Sequence, residues 1–215
     1  MTLPFIYGFI YQYGMNFPYH TVASRLVSDL SPRVQDIVSR RFGLEHRGSE
    51  TLEAIGSVHR ITRERVRQIV EDALRQIRKE IEEDRGAGVR QVFRYFSDVL
   101  RKTGYMKRED LFIEMLKAQD NANPVVFLLV IGDEFFDHRE TQDFYSFWSL
   151  KKEMIEKAPH LHEDLLSFFK EKGEPQDGEE VEALSQNTLR GRSLFSFLEA
   201  SKHIMQSYDG KWGLR

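Results

Sequence analysis

The chain has 215 residues, of which 40% are hydrophobic and 30% charged, enough apolar material for one large folded domain or two to three small ones. It contains no cysteine, which excludes disulfides and Cys-ligated zinc or iron–sulfur sites and fits a reducing cytoplasm. The formal net charge is −3, but residues 31–80 hold 11 Lys/Arg against 8 Asp/Glu while residues 104–215 hold 14 against 21, so the acidic part is a poor surface for phosphate.

Residues 1–30 read as an N-terminal extension. Met1–Gly14 is apolar and aromatic, yet it lacks the basic start and small-residue cleavage pattern of a secretory signal. It is also shorter than the ~20 apolar residues of a membrane-spanning helix. Met15 follows directly, and the more ordinary sequence from Asn16-Phe17-Pro18 makes it an alternative translation start. Ser31-Pro32 reads as a helix start, with Ser accepting from an orphan N–H and Pro in the first turn. That helix carries Val34, Ile37, Val38 and Phe42 on one face and stops at Gly43. After a loop at Glu45–Glu50 comes a short helix from Thr51 to about Ser57, then a turn at Val58–Ile61. Thr62 caps a long helix to about Ile81, with Val66, Ile69, Val70, Ala73, Leu74 and Ile77 as its buried stripe. Residues 31–85 thus form a first domain, closed by the linker Arg85-Gly86-Ala87-Gly88.

Two stretches of similar order follow, at 89–150 and 151–215. The first has helices at Val89–Thr103 and Lys107–Lys117. It continues with an apolar segment from Pro124 to Ile131 and an aromatic hairpin from Phe135-Phe136 to Phe144–Leu150. The second has a helix at Leu150–Lys172 and an acidic stretch at Glu174–Glu182. A helical Ser193–Ser201 segment and a strand ending Lys211-Trp212-Gly213-Leu214 complete it. Helices followed by a hairpin describe a winged helix. The expected fold is therefore mainly α: a helix-turn-helix followed by two small winged-helix-like modules with short β-hairpins. The sequence stops just after a strand-like run, which raises the expectation of further native residues beyond Arg215.

The chemistry lies in residues 51–69, within the segment that holds the basic surplus. A helix-turn-helix needs a small residue where its helices cross, supplied here by Ala54. It needs apolar residues between the helices, supplied by Leu52, Ile55, Ile61, Val66 and Ile69. At about 100° per residue, Arg63, Glu64, Arg67 and Gln68 share one face of the second helix, away from Val66, Ile69 and Ala73. Arg can make two hydrogen bonds to guanine, Gln can do so to adenine, and Glu can accept from cytosine. Arg60, Thr62, Arg65, Arg75 and Arg78 are candidate phosphate contacts, which position a helix without specifying sequence. The alternative is an amphipathic helix with a solvated charged face, and the preceding short helix, turn and small residue weigh against it.

Residues 31–79 resemble region 4 of the bacterial RNA polymerase sigma-70 family. Ser31-Pro32-Arg33 through Arg41-Phe42-Gly43-Leu44 resembles its first half. Thr51-Leu52-Glu53-Ala54-Ile55-Gly56 and Thr62-Arg63-Glu64-Arg65-Val66-Arg67-Gln68-Ile69, with Ala73-Leu74-Arg75 behind, resemble its promoter-reading half. The resemblance implies reading of a minus-35 element in duplex DNA and docking on the flap of the polymerase β subunit. Arg63, Glu64, Arg67 and Gln68 would face bases, the same four that helical geometry selects. The family commonly has an aromatic residue followed by Gly, Asp or Asn in the turn, where this chain has His59-Arg60. The resemblance covers about a quarter of the chain, and the 30 residues before Ser31 are too few for the family's core-clamping and minus-10 regions. The expectation is thus not a complete initiation factor. Residues 151–215, ending Tyr208-Asp209-Gly210-Lys211-Trp212-Gly213-Leu214, are similar to HARE-HTH winged helices such as that of the polymerase delta subunit. The Asp-Gly turn and following strand suit a wing, and the acidic balance suits contact with protein.

No catalytic, metal or cofactor constellation emerges. In His160-Leu161-His162-Glu163 the i, i+2 spacing sends the histidines to different sides of a helix. Gly86-Ala87-Gly88 lacks the Lys-Ser/Thr of a phosphate loop. The aromatic clusters at Phe144–Trp148 and Phe195–Phe197 are either base-stacking platforms or small-domain cores. Glu82-Glu83-Asp84 and Glu179-Glu180 read as solvated faces. The sequence points to a DNA-binding transcription factor with double-stranded DNA and RNA polymerase as partners, no enzyme, no membrane and no small-molecule ligand. One rival is a polymerase-docking accessory or anti-initiation protein with weak DNA binding. Another is an enzyme with a DNA-targeting head, for which no acidic metal-binding constellation is found.

Overall fold

The computed structural model describes residues 17–45, 48–85, 87–185 and 189–215; the Met1–Gly14 run and Met15 lie outside them. No helix among the described residues is long and apolar enough to cross a membrane. The fold is mainly helical with small antiparallel sheets. The chain forms two compact units, one from the described parts of residues 1–94 with 113–132, the other from 95–112 with 133–215.

The first unit opens with α1, Tyr19–Ser28, which buries Tyr19, Ala23 and Val27 at successive turns. The expected N-terminal extension therefore contributes a packed helix. In α2, Pro32–Phe42, Pro32 takes the first turn and Gly43 ends the helix in the left-handed region at φ 64°. The Ser31 hydroxyl makes no capping bond; the Ser31 carbonyl instead accepts from Gln35 N–H at 2.8 Å. Two further helices follow: α3, Leu52–His59, and α4, Arg63–Glu80, which buries Val66, Val70, Ala73, Leu74 and Ile77. A π-helical turn, Ile81–Arg85, continues α4, and α5, Ala87–Lys102, begins after Gly86. Of the stretch expected as a linker, Arg85, Ala87 and Gly88 are helical.

After β1, Met106–Arg108, and α6, Glu109–Met115, comes α7, Ala122–Ile131. Val125, Phe127, Leu128, Leu129 and Ile131 of α7 are all buried, and the helix packs on α1, α2 and α4. A helix apolar on every side has no face to give to water, so it must be enclosed. This is why residues 113–132, expected inside a separate module at 89–150, belong to the first unit. Phe127 meets Phe42 edge-on at 5.0 Å, and Asn123 Nδ2 donates to Gly43 O at 3.2 Å. The carbonyls of Val130 and Ile131, at the end of α7, accept from the Arg78 guanidinium at 2.8 and 3.0 Å.

In the second unit β3, Phe147–Ser149, is central and antiparallel to both β1 and β2, Phe136–His138. The helix expected at Lys107–Lys117 is present as α6, and β1 takes its first two residues, Lys107 and Arg108. Gly104 and Tyr105, at φ 86° and 71°, turn the backbone out of the helical path before this strand. The helix α8, Lys152–Lys172, leads to α9, Gly178–Leu184, which forms within the acidic stretch. Glu179 and Glu180 lie in its first turn, where negative charge complements the helix dipole. The helix α10, Arg192–Ala200, and the hairpin of β4, Ile204–Gln206, with β5, Trp212–Leu214, complete the unit. Phe144, Phe147 and Phe197 lie in its core, with Trp148 also buried, so these aromatics pack rather than offer faces for stacking.

The two stretches expected to be alike share an order in the chain. Each runs helix, extended segment, further helices and hairpin, and in each the extended segment pairs with the last strand. Strand β1 pairs with β3, and Gln176 exchanges backbone hydrogen bonds of 2.7 and 2.8 Å with Trp212 of β5. Residues 102–108 are held by α10. Ser193 Oγ donates to Gly104 O at 2.8 Å and Ser196 Oγ to Thr103 O at 2.7 Å, while Lys107 pairs with Glu199. A Cβ at Gly104 would stand 2.3 Å from Ser193 N, so only glycine permits this approach.

His162 is buried, its ring 4.6 Å from that of Phe144, and its Nε2 lies 2.8 Å from Ser201 Oγ. That hydroxyl already accepts from His203 N–H at 3.1 Å and Ile204 N–H at 3.2 Å. With its lone pairs engaged it donates to Nε2, which requires a neutral ring carrying its proton on Nδ1. Burial pushes the His162 pKa down, against the pull of Asp143 and Glu163 and with a small push from His203. A folded pKa below the unfolded value means that the unfolded chain binds the proton first. Stability is then complete above about pH 6.5 and is lost as pH falls through that value toward the folded pKa. The urea midpoint, followed by fluorescence of Trp148 and Trp212 in this unit, is expected to be lower at pH 5.5 than at pH 7.5. The drop should shrink in His162→Gln, and equal drops in both proteins would assign it to other groups.

Candidate nucleic-acid interface

Two threonines define the ends of a helix pair. Thr51 Oγ1 accepts from Ala54 N–H at 3.2 Å and starts α3; Thr62 Oγ1 accepts from Arg65 N–H at 3.1 Å and starts α4. Between them the chain reverses at Arg60, in the left-handed region at φ 55° and ψ 44°. The two helices approach closely at Gly56, where a Cβ would lie 2.7 Å from Ile61 O. Gly56 is buried and Ala54 exposed, so the small residue at the crossing is Gly56, not Ala54 as the sequence pattern suggested.

A polar brace holds the turn. Arg33 Nη2 donates to the His59 carbonyl at 3.1 Å, placing a cation at the C-terminus of α3. His59 Nε2 lies 2.9 Å from Asp36 Oδ2, and Arg40 bridges Asp36 and Glu50, each at 3.0 Å. Partial burial raises the Asp36 pKa, but the hydrogen bonds and charges of Arg40 and His59 outweigh it, and the net shift is downward.

Arg63, Glu64, Arg67 and Gln68 are all exposed at the start of α4. Arg67 is forked onto Glu64, Nε to Oε2 at 2.9 Å and Nη2 to Oε1 at 2.7 Å, and also pairs with Glu71. The hydrogen bond to Arg67 holds the Glu64 carboxyl below its ordinary range. Gln68 Nε2 reaches Glu64 Oε1 at 3.4 Å, and Arg63 Nε pairs with Glu53 Oε1 at 3.1 Å. Such exposed pairs are weak and screened by water, so a competing partner can open them. An open cleft of ≈ 510 Å³, lined by Glu53, Ser57, Arg60, Thr62 and Arg63 among others, lies at the mouth of the turn.

The candidate phosphate contacts divide. Arg60, Arg65 and Arg75 are exposed, Arg65 touching Gln68 and Arg75 paired with Asp72. Thr62 is exposed, but its hydroxyl oxygen serves the cap. Arg78 is half-buried with its guanidinium on the carbonyls of α7, so it leaves the phosphate set and becomes a brace of the first unit. The sequence reading missed Arg33, Asp36 and His59 as a group, because only the fold brings α2 to the end of α3. It also passed over Glu71, whose i, i+4 spacing from Arg67 was visible.

A left-handed conformation costs an ordinary L-residue about 1–2 kcal/mol relative to glycine. Glycine returns part of that through a more flexible unfolded chain. Arg60→Gly is therefore expected to stabilise the first unit by about 0.5–1 kcal/mol, and Arg60→Val to destabilise it. The check is loss of helical circular dichroism on heating the full chain; the reverse order of the two variants would contradict the assigned turn.

Residues 13–79 match the family model described as Sigma-70, region 4. Sigma factors match the same region. The chain is 44% identical over 54 residues to the RNA polymerase sigma factor SigA of Nostoc sp., which covers 25% of this chain and 14% of that protein. It is 47% identical over 53 residues to sigma factor SigA1 of Synechococcus elongatus, 25% of this chain and 13% of that protein. Against sigma factor RpoD of Neisseria gonorrhoeae it is 38% identical over 66 residues, 31% of this chain and 10% of that protein. The chain thus spans a small part of the length of these relatives. No solved structure matches it significantly.

Proposed function

We propose that residues 51–80 bind promoter-like duplex DNA in the way of a sigma factor, with the start of α4 in the major groove. The observation that carries this reading is a coincidence. The segment matching Sigma-70, region 4 contains a doubly capped helix pair whose second helix exposes Arg63, Glu64, Arg67 and Gln68 together. These are the side-chain types that read guanine, cytosine and adenine edges. Arg60, Arg65 and Arg75, with Thr62 at the cap, are the proposed phosphate contacts, which set register and most of the salt dependence. The function is binding, with no chemical step and no cofactor. The test is fluorescence anisotropy of the full chain on a minus-35-like duplex and a scrambled one across a salt series. Tight, salt-sensitive binding with preference for the first is expected. Arg67→Ala or Gln68→Ala should cost about 1–3 kcal/mol on the specific duplex and relax its preference. Equal losses on both duplexes would count against base readout.

For residues 89–150 and 151–215 we propose winged-helix-like modules, HARE-HTH-like in the second case, that serve protein contact. The repeated chain order supports the first part of this reading and the acidic balance the second. The helix α10, which would enter a groove in a DNA-reading winged helix, is engaged by residues 102–108.

A second reading is supported by the self-paired state of the α4 face. Here the region-4 segment docks on RNA polymerase, by way of the β-flap, and DNA binding is secondary. Pull-down with a β-flap fragment separates the two. Capture that survives Arg67→Ala together with Gln68→Ala, alongside indifferent DNA binding, would favour docking; no capture would leave DNA as the partner.

A further inference from the structure

The candidate base-reading arginines are not free. Arg67 holds two carboxylates at once, Glu64 one turn before it and Glu71 one turn after. The two carboxylates differ in use. Glu64 belongs to the face that can itself accept from cytosine. Glu71 lies at i+4 from Arg67 and i+3 from Gln68, so it extends the same face along the helix. It is exposed and touches Arg67. Its side chain would therefore stand in a groove walled by phosphates, a place where negative charge is repelled.

We propose, resting on the DNA-binding reading, that Glu71 is a specificity-determining residue that acts as an internal competitor for the groove. In the free protein Glu71 completes the fork on Arg67 and so occupies the guanidinium that DNA needs. A random duplex offers Arg67 only phosphates, a poor exchange for two carboxylates, whereas a correctly placed guanine offers two directed hydrogen bonds. At the same time the Glu71 charge repels every duplex equally. The combined effect is to suppress non-specific binding more than specific binding. This is discrimination by building a penalty against the wrong partner.

The test is Glu71→Gln in the full chain, measured on the minus-35-like and scrambled duplexes across a salt series. Glu80→Gln is the control. It removes the same charge from the same helix, but at about 100° per residue it faces the opposite side from Arg67, and its carboxylate accepts from Gln76 Nε2 at 3.0 Å. Tighter binding of the scrambled duplex by Glu71→Gln, on the order of threefold to tenfold at low salt, is expected. The gain on the specific duplex should be smaller, so the preference falls, and Glu80→Gln should change neither. Equal gains from the two variants would reduce the effect to net charge and overturn the proposal. Unchanged preference in Glu71→Gln, with the wild-type chain still reading the specific duplex, would overturn it while leaving the DNA-binding reading intact. Absence of binding to any duplex by the wild-type chain would remove both.

Discussion

The approach of α3 to α4 at Gly56 governs where every candidate DNA-contacting side chain stands. With 2.7 Å between the place of a Cβ and Ile61 O, the backbone of the turn sits directly on α3. That closeness makes the connection short. A short connection forces one residue into the left-handed region, and the residue is Arg60 rather than the glycine or asparagine that would adopt it without strain. Thr62 can then cap α4 immediately, so the four exposed residues at 63, 64, 67 and 68 fall in the first two turns of the helix. Moving the crossing by one residue would rotate that face by about 100°. The Arg33 bond to the His59 carbonyl and the Asp36–Arg40 pair fix the same turn from the side of α2 with charge-assisted bonds.

The helix α7 shows how a distant segment can redefine a local motif. The segment matching Sigma-70, region 4 ends at residue 79, yet the first unit is completed by residues 113–132. An apolar helix and a cationic brace together explain this. The side chains of α7 leave no polar face, and its unsatisfied C-terminal carbonyls need donors, which Arg78 supplies. Arg78 is therefore recruited by structure at the point where sequence pattern alone assigned it to DNA. Charge type says what a side chain can bind, while burial and the nearest unsatisfied carbonyl decide what it does bind.

Legibility in the sequence followed the range of the interactions. The cap at Thr62, the stop at Gly43 and most of the buried stripe of α4 depend on residues within a turn or two of each other, and these were readable. So was the shared face of Arg63, Glu64, Arg67 and Gln68, because helical geometry fixes it. The helix α1 was also marked, by Tyr19, Ala23 and Val27 at i, i+4 and i+8, but its apolar and aromatic neighbourhood masked the period. The strand β1 was not legible: three residues between two helices carry no period. What sets them as a strand is a long-range pairing, Met106 opposite Ser149 and Arg108 opposite Phe147. The choice between Ala54 and Gly56 as the crossing residue likewise depended on where α4 returned.

The second unit uses its polar groups inwardly in much the same way as Arg78. The hydroxyls of Ser193 and Ser196, on α10, satisfy backbone carbonyls at Gly104 and Thr103, and Ser201 gathers two N–H groups and a histidine. A serine-rich helix that a DNA reader would turn toward phosphate or base edges is here spent on closing its own unit. Losing one of these bonds would strand a buried carbonyl, at about 1–3 kcal/mol, so α10 is not easily released for a nucleic-acid partner. The exposed Arg/Glu/Gln face of α4 pays no such penalty, since its pairs are in water and exchange readily. The same polar chemistry therefore has opposite meanings in the two units, and burial is what separates them.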